Sequence, residues 1–328
     1  MRLVLGYPVE QSHLTTICDA APDWDVIDAG QDRLPEELLS ADVFCGHAKV
    51  PIDWEAVVQQ GRLRWIQSSA AGLDHCLHPA VVQSDIIVTS ASGVLADQVA
   101  EHAIALIGAT LRNLPRFIED KKVREFIRRP TRDLHGATVG IIGLGGVGRR
   151  LTELLAPYRV RILATDAFPQ DKPAQVDALW PADQFPQLLK QSDIVVLCVP
   201  LTEVTRGMID ADAMGLMQDH ALLVNVARGP VVVEKDLAAA LRAGTIAAAA
   251  LDVTEQEPLA TSSELWELSN LLITPHVAGQ SRKRIDKMTA FFCENLNRYR
   301  QQQTLLNRVD KKLGFPQPST GGLPQPFL

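Results

Sequence analysis

The fold of this chain is decided by residues 138–148, which read TVGIIGLGGVG. The apolar residues predict a buried strand, and the glycines that follow have the spacing GxGxxG at the start of a helical pattern. Gly143 allows a tight turn, Gly145 lets the backbone approach a pyrophosphate, and Gly148 allows close packing of the helix. The helix N-terminus offers amide donors to an anion. GxGxxG alone is a weak signal, but this strand-turn-helix context predicts a dinucleotide-binding site.

The next predicted strand, VRILATD, ends in Asp166. A carboxylate at this distance from the glycines can accept hydrogen bonds from both hydroxyls of an adenosine ribose. The alternative is that Asp166 only caps a turn. The residues that follow, Ala167, Phe168 and Pro169, offer no guanidinium for a 2′-phosphate, which the carboxylate would also repel. The sequence therefore predicts NAD rather than NADP as the cofactor.

Short apolar runs alternate with longer helical patterns on both sides of this segment. The first hundred residues contain RLVLGY, DVIDAG, ADVFCGH, RWIQSS and IIVTSAS, and the later part contains DIVVLCVP, ALLVNVA, AAAALDV and LLITPHV. Such alternation is typical of βα units on a parallel sheet. The later runs are apolar throughout, which indicates strands covered by helices on both faces. We expect an α/β protein with two doubly wound parallel-sheet lobes and a cleft between them.

Three functional side chains each follow the end of a separate apolar run: Arg228 in NVARGP, Glu257 in DVTEQEPL and His276 in ITPHVAG. The carboxyl ends of parallel strands border the ligand crevice of an open sheet, so these side chains should converge beside a bound dinucleotide. A guanidinium can bind a carboxylate and stabilise charge on a carbonyl oxygen. A carboxylate beside imidazole favours its protonated, donating form. The trio predicts reversible hydride transfer to a 2-oxo acid.

The domain boundaries follow from two long helical patterns. Apolar residues keep helical spacing from Gln98 to Arg112, which predicts a helix linking the lobes. A second amphipathic pattern near the end of the chain could return to the first lobe. We expect residues 1–97 and 279–328 to form a substrate domain and residues 98–278 an NAD-binding domain. The last residues, 317–328, are rich in proline and glycine and predict a loose tail.

Composition restricts the possible partners. The chain of 328 residues has a net charge of −7, which gives no reason to expect a nucleic acid or an anionic membrane. Its five cysteines have no CxxC spacing and its eight histidines no metal-ligand spacing, so we predict neither disulfides nor a metal site. No segment has the apolar length of a signal-peptide core or a membrane helix. We expect a cytoplasmic protein.

Several segments resemble signatures of the D-isomer-specific 2-hydroxyacid dehydrogenases. They are TVGIIGLGGVG, VPLTEVTRGMI, NVARGPVV, LDVTEQEPL and ITPHVAG, with WIQSSAAGLDH and VAEHAIALIGATLR earlier in the chain. The resemblance covers most of the chain and implies a Rossmann-like NAD-binding domain with a flavodoxin-like substrate domain. It implies that Arg228, Glu257 and His276 are the catalytic residues. The segment REFIRRPTRDL departs from the family pattern and weakens assignment to a subfamily and its substrate.

The resemblance implies further contacts. Ala71 and Gly72 match a loop whose backbone amides hold the substrate carboxylate, and the implied cofactor contacts are Gly146, Val147, Cys198, Ala227 and Asp252. Asp252 could equally cap a helix. Lys49 either reaches the substrate or is simply solvated. The family also implies a homodimer that pairs through the nucleotide domain.

Two alternatives remain open. A formate-dehydrogenase-like enzyme would share the fold, but formate oxidation needs no proton donor and so gives no role to a pair of Glu257 and His276. A corepressor-like NAD sensor would bind the dinucleotide without turnover. The sequence does not identify the side chain of the 2-oxo acid or the physiological direction of the reaction.

Overall fold

The computed structural model describes residues 1–317 and contains two compact α/β units. The first unit consists of Met1–Leu95 together with residues 281–317, and the second of Ala96–Gln280. The tail predicted for residues 317–328 lies outside the described residues, except for Gln317.

The first unit is built on a five-stranded parallel sheet. Its strands are β1 (Arg2–Gly6), β2 (Asp25–Asp28), β3 (Val43–Gly46), β4 (Trp65–Ser68) and β5 (Ile87–Thr89). The helices between them are α1 (Gln11–Ala20), α2 (Leu34–Leu38), α3 (Trp54–Gln59) and α4 (Pro79–Gln83). The strands lie in the order β2-β1-β3-β4-β5. This is the flavodoxin-like order, as predicted.

Both faces of this first sheet are buried. Val4 packs with Phe44 on one face, whereas Leu3 and Leu5 pack with Trp65 on the other. Successive side chains of a strand point to opposite faces, so a strand covered on both sides, such as β3, is apolar along its length. The apolar run VFC of β3 has this cause.

The second unit begins with α5 (Ala96–Leu111) and α6 (Leu114–Lys122). Seven parallel strands follow: β6 (Thr138–Ile142), β7 (Arg161–Asp166), β8 (Ala178–Pro181), β9 (Ile194–Leu197), β10 (Leu222–Asn225), β11 (Ala248–Leu251) and β12 (Leu271–Ile273). The helices between them are α7 (Gly146–Leu155), α8 (Phe185–Leu189), α9 (Ala211–Gly215) and α10 (Glu234–Ala243).

The strand order of the second sheet is β12-β11-β10-β9-β6-β7-β8. The chain runs outward from β6 to β8, returns to β9 beside β6, and then runs to the opposite edge. This is the Rossmann order with one additional parallel strand, and its switch point lies between β6 and β9. The glycine turn follows β6 and therefore lies at the point where such sheets bind ligands. The two doubly wound sheets confirm the predicted fold class.

The edge strand β8 was not predicted from the sequence. Its four residues, ALWP, are too few to show a period, and the last is a proline. A proline is tolerated there because an edge strand has a neighbour on one side only.

The first unit also contains α11 (Arg284–Arg300), followed by the short antiparallel ribbon of β13 (Val309–Asp310) and β14 (Phe315–Pro316). Phe292 and Leu296 of α11 are fully buried in the cluster that contains Trp65. The amphipathic pattern predicted this helix, whereas nothing in the sequence analysis predicted the ribbon.

A buried polar network fastens α11 to the first sheet. The amide of Asn295 donates from Nδ2 to Oε1 of Gln67 at 2.9 Å, and Oδ1 of Asn295 accepts from the backbone N–H of Leu306 at 2.7 Å. Oε1 of Gln67 also accepts from the hydroxyl of Thr89, which accepts from the indole N–H of Trp65. Buried polar groups are costly unless they are paired. The mutual pairing of these groups makes the network structural.

Within residues 1–317, every helix falls short of the combination of length and apolar character that crossing a bilayer requires.

Candidate active site

The glycine turn lies between the end of β6 and the start of α7. Gly143 has φ +97°, and a Cβ there would lie 2.8 Å from the backbone of Cys198. A Cβ on Gly148 would lie 2.1 Å from the carbonyl oxygen of Gly143, whereas one on Gly145 would meet no atom within 4 Å. Gly143 and Gly148 are therefore required by the protein itself. Gly145 leaves open space for a group from outside the protein.

Asp166 ends β7 beside this turn. Its Oδ2 accepts from the backbone N–H of Leu144 at 2.6 Å, and its Oδ1 accepts from the N–H of Phe168 at 2.8 Å. The bond to Leu144 holds the glycine turn against the end of β7. Because each carboxylate oxygen can accept a second hydrogen bond, both remain able to accept from ribose hydroxyls. The sequence predicted hydrogen bonds from ribose hydroxyls to Asp166 but did not predict the bond from Leu144.

Arg228 follows β10 in a turn that the last residue of the strand controls. Asn225 is fully buried; its Oδ1 accepts from the N–H of Ala227 and its Nδ2 donates to the carbonyl of Arg228, both at 3.0 Å. The guanidinium of Arg228 is half-buried and donates from Nη1 to the carbonyl of Ala227 at 2.8 Å. Sequence reasoning missed Asn225. Its signal was a polar residue closing the apolar run LLVN.

The loop after β11 packs on this turn without space for a side chain. A Cβ on Gly229 would lie 1.9 Å from the carbonyl carbon and oxygen of Thr254, a distance that no real structure can accommodate. Gly229 directly follows Arg228, and Thr254 lies three residues before Glu257. The close contact therefore fixes the segment that carries the guanidinium against the loop that carries the carboxylate.

Glu257 and His276 form a hydrogen-bonded pair. Oε2 of Glu257 lies 2.6 Å from Nδ1 of His276, and Oε1 of Glu257 accepts from the N–H of Thr254 at 3.2 Å. An ionised carboxylate can only accept, so Nδ1 carries the proton of this bond and Nε2 is the ring nitrogen left to exchange a proton with a substrate. The side chains are 38% and 47% exposed respectively, so solutes can reach the pair.

Asp252 holds the backbone around His276. This buried carboxylate accepts at Oδ1 from the hydroxyl of Thr274 at 2.6 Å and the N–H of Val277 at 3.0 Å, and at Oδ2 from the N–H of Ala278 at 2.9 Å. The N–H of His276 donates to the carbonyl of Asp252 at 2.7 Å. His276 has φ +52°, a left-handed backbone conformation that residues other than glycine adopt rarely and keep only where the surrounding structure holds them. The hydrogen bonds to Asp252 hold the backbone of His276 in this conformation.

A second histidine, His102 on α5, joins this network. Its Nε2 lies 2.9 Å from the hydroxyl of Thr274 and 3.4 Å from Oδ1 of Asp252. His102 was not predicted as a site residue from the sequence. The contact anchors the segment before His276 to α5.

The remaining predicted contacts lie as follows. Gly146 and Val147 form the first turn of α7, and Ala227 is buried in the turn before Arg228. Burial raises the pKa of the Cys198 thiol to about 12, so this residue is no nucleophile at neutral pH. Contact of these residues and of Asp252 with a cofactor remains a prediction.

In the other unit, Ala71 and Gly72 lie in the loop after β4, where Ala71 is exposed and Gly72 is partly exposed. Lys49 is exposed, and its backbone N–H donates to Oε1 of Gln31. No cluster of three or more histidine, cysteine or acidic side chains suited to a metal ion occurs in the described part of the chain.

A glycine turn at the switch point of a parallel sheet, with a histidine–carboxylate pair at the ends of neighbouring strands, defines a dinucleotide-dependent oxidoreductase. The model of the D-isomer specific 2-hydroxyacid dehydrogenase NAD-binding domain matches residues 104–278. The chain belongs to this family, which confirms the predicted resemblance.

Three relatives illustrate the similarity. A glyoxylate reductase of Pyrococcus furiosus is 32% identical over 302 residues, covering 87% of this chain and 88% of that protein. A glyoxylate reductase/hydroxypyruvate reductase of Homo sapiens is 35% identical over 241 residues, covering 71% and 73%. The crystal structure of a D-isomer specific 2-hydroxyacid dehydrogenase from Xanthobacter autotrophicus Py2, with NADPH and MES, has a TM-score of 0.81 at 29% identity and covers 96% of this chain and 99% of that one.

The protein is thus an oxidoreductase of the 2-oxo acid and D-2-hydroxy acid class that uses a nicotinamide dinucleotide. The residues present fit this cofactor, because the turn combines the N-terminus of α7 with the open space at Gly145.

Proposed function

We propose that this protein reduces a small 2-oxo acid, such as glyoxylate or hydroxypyruvate, to a 2-hydroxy acid, with His276 as proton donor and Arg228 as the substrate-binding cation. The observation that carries the proposal is the 2.6 Å bond from Glu257 to Nδ1 of His276, which leaves Nε2 as the site of proton exchange. The substrates are suggested by the relatives named glyoxylate reductase and hydroxypyruvate reductase.

The roles follow from charge. The guanidinium of Arg228 binds the substrate carboxylate and stabilises the negative charge that develops on the carbonyl oxygen. The backbone amides of Ala71 and Gly72 supply further donors to the carboxylate. The bound nicotinamide supplies the hydride. His276 gives the oxygen its proton, and the carboxylate of Glu257 stabilises the imidazolium before that transfer. In the oxidative direction neutral His276 accepts the proton.

A substrate panel tests this proposal. Oxidation of NADH is measured with glyoxylate, hydroxypyruvate, pyruvate and phenylpyruvate, and the configuration of each chiral product is determined. We expect the highest kcat/KM with the two smallest polar acids and a D product wherever the carbon is chiral. Binding of NADH without turnover of any 2-oxo acid would instead favour the corepressor-like alternative. NAD reduction that depends on formate would favour the formate-dehydrogenase-like one.

We also propose that NAD is preferred over NADP. The carboxylate of Asp166 would repel a 2′-phosphate, and the guanidinium of Arg149, on the first turn of α7, is held by Asp171 through Nη1 to Oδ2 at 2.9 Å. NADH should therefore give a higher kcat/KM than NADPH. Asp166→Ala should narrow the difference between the two values of kcat/KM. Asp171→Asn weakens the ion pair that holds Arg149, so it should raise kcat/KM for NADPH and leave that for NADH unchanged. Preference of the unmodified protein for NADPH would contradict the assignment.

A homodimer is the assembly we propose, with a second copy of this chain packed on the surface of α6 and the segment after it. This surface exposes Leu114, Ile118, Val123, Phe126 and Ile127, and Phe126 is fully exposed. The buried carboxylate of Asp120 holds the segment by accepting from Nε of Arg129 at 2.7 Å and Nε of Arg116 at 2.9 Å. Large apolar side chains presented on an ordered segment are typical of an interface.

Sedimentation equilibrium tests the dimer. The unmodified protein should sediment at twice the mass of the chain, and Phe126→Asp should shift it toward the monomer. Val204→Asp is the matched control, because Val204 is also highly exposed but lies on another segment. A monomer at all concentrations would contradict the assembly. We further propose a cytoplasmic location, which the five unpaired cysteines favour.

A further inference from the structure

The helix α10 begins without a cap of its own. Its N-cap residue is Val233, whose side chain cannot accept a hydrogen bond from the first N–H groups of the helix. The acceptor comes from elsewhere in the fold: the N–H of Glu234 donates to Oε1 of Glu255 at 2.9 Å. Glu255 belongs to the loop after β11, so a carboxylate of the loop that carries Glu257 caps this helix.

The contact is reciprocal. The N–H of Glu255 donates to Oε1 of Glu234 at 2.5 Å, so each glutamate binds the backbone of the other. We call this pair of bonds the Glu234–Glu255 brace. The partial positive charge at the start of a helix favours two carboxylates there, which offsets their mutual repulsion.

The brace acts on the loop close to the catalytic carboxylate. Glu255 lies two residues before Glu257, and the preceding residue, Thr254, both donates to Oε1 of Glu257 and packs against Gly229. Two consecutive residues of the loop are therefore fixed by different neighbours. Gly229 fixes Thr254, and Glu234 fixes Glu255. Release of one of these attachments frees the segment that aims Glu257 at His276.

The negative charge of Glu257 also acts on Glu234. Burial raises the pKa of Glu234, and the negative charges of Glu255 and Glu257 raise it further, while the bond from the N–H of Glu255 opposes the rise. Arg206 lines the same surface depression as Glu255. The ionisable groups around the brace are thus Glu255 and Glu257 from its loop, Arg206 from the segment after β9, and His276 beyond Glu257.

We infer that Glu234 and Glu255 are positioning residues that hold Glu257 against His276 for proton transfer, an inference that rests on the proposed function. Two reciprocal hydrogen bonds fix Glu255, which lies two positions from the carboxylate that orients the proton donor. A displacement of that carboxylate by a fraction of an ångström weakens a 2.6 Å bond and misdirects the ring.

Three variants separate positioning from general stability. Glu234→Ala removes the acceptor for the N–H of Glu255, and Glu234→Gln keeps an amide oxygen there without the charge. Asp236→Ala is the matched control, because Asp236 lies on the same turn of α10 but accepts from the N–H of Ala211, away from the catalytic loop. We expect kcat for 2-oxo acid reduction to fall about tenfold in Glu234→Ala, with KM for NADH within about twofold. Glu234→Gln and Asp236→Ala should keep at least half of kcat.

A second readout does not need turnover. The ring of His276 is followed by NMR as a function of pH, with its signal assigned by its loss in His276→Asn. In Glu234→Ala a looser Glu257 stabilises the imidazolium less, so the titration midpoint should move to lower pH, whereas Asp236→Ala should leave it in place. Failure of the wild type to turn over any 2-oxo acid would reject the proposed function, while a shifted midpoint would still support the brace.

The inference is overturned if Glu234→Ala leaves the His276 midpoint in place, or if it matches Asp236→Ala in both readouts. Equal effects of Glu234→Gln and Glu234→Ala would also overturn it, because the charge and not the contact would then be responsible. Glu255→Ala provides a double-mutant test with Glu234→Ala, whose combined effect on kcat should be smaller than the product of the single effects.

Discussion

The two parallel sheets of this molecule use polar side chains in opposite ways. In the first unit, Gln67, Thr89 and Asn295 are buried and bind one another, so none has a group left for a solute. In the second unit, Glu257 and His276 bind each other on one side and stay partly exposed on the other. A polar group that is fully paired inside a protein stabilises the architecture, whereas one that is oriented by a partner and reachable can do chemistry.

The largest effect expected from this contrast is at Arg228. Arg228→Lys keeps a positive charge but loses the planar fork, so we expect a loss of roughly 2–4 kcal/mol in transition-state stabilisation, about 30- to 900-fold in kcat/KM. The melting temperature should hardly change. Arg242→Lys is the control, because that guanidinium binds Glu264 at the surface. Near-normal kcat/KM in Arg228→Lys would mean that another residue binds the substrate carboxylate.

Two glycines of the same turn should separate folding from binding. Gly148→Ala forces a Cβ to 2.1 Å from the carbonyl oxygen of Gly143, which should destabilise the protein by about 3 kcal/mol. Gly145→Ala meets no protein atom within 4 Å, so it should leave stability within about 1 kcal/mol while raising KM for NADH. Urea unfolding without cofactor and steady-state kinetics measure the two effects. An unchanged KM in Gly145→Ala would place the pyrophosphate elsewhere.

The buried network of the first unit should affect stability and leave chemistry alone. Asn295→Ala strips the N–H and carbonyl of Leu306 of their partner, which should cost about 2 kcal/mol of unfolding free energy. The exposed Asn297 on the same helix provides the control variant Asn297→Ala. Chemical denaturation measures the cost, and kcat of the remaining folded enzyme should stay within about twofold. A large drop in kcat without loss of stability would remove the contrast between the two sheets.

The smallest effect is a change in pH dependence. Glu257→Gln replaces a charged acceptor by a neutral one, so the imidazolium of His276 loses its electrostatic partner and gives up its proton at lower pH. Reduction needs the protonated ring, so the alkaline limb of its pH–rate profile should move toward acid. Oxidation needs the neutral ring and should gain activity at lower pH relative to reduction. Unchanged limbs in both directions would show that Glu257 does not govern the protonation of His276.

Much of this site was predictable because its signals are local. The glycine spacing follows an apolar run directly, and Arg228, Glu257 and His276 each lie a few residues past the end of a strand, so strand prediction alone places them at one sheet edge. Asp252 was predicted as a cofactor contact on resemblance. Its three hydrogen bonds to the segment around His276 were not predictable, because no local pattern says which loop a strand-end aspartate will bind.

The sequence by itself determined the alternation of strands and helices, the turn at Gly143 and the chemical types of the side chains that we propose as catalytic. These depend on periods of two and 3.6 residues and on the conformational limits of single residues, which act over a few positions of the chain. Only the tertiary structure decided the bond from Asp166 to Leu144, the contact of Gly229 with Thr254 and the brace between Glu234 and Glu255. Each joins residues more than twenty positions apart. Their pairing depends on which strands become neighbours and in what register, and that choice is made by the packing of the whole unit.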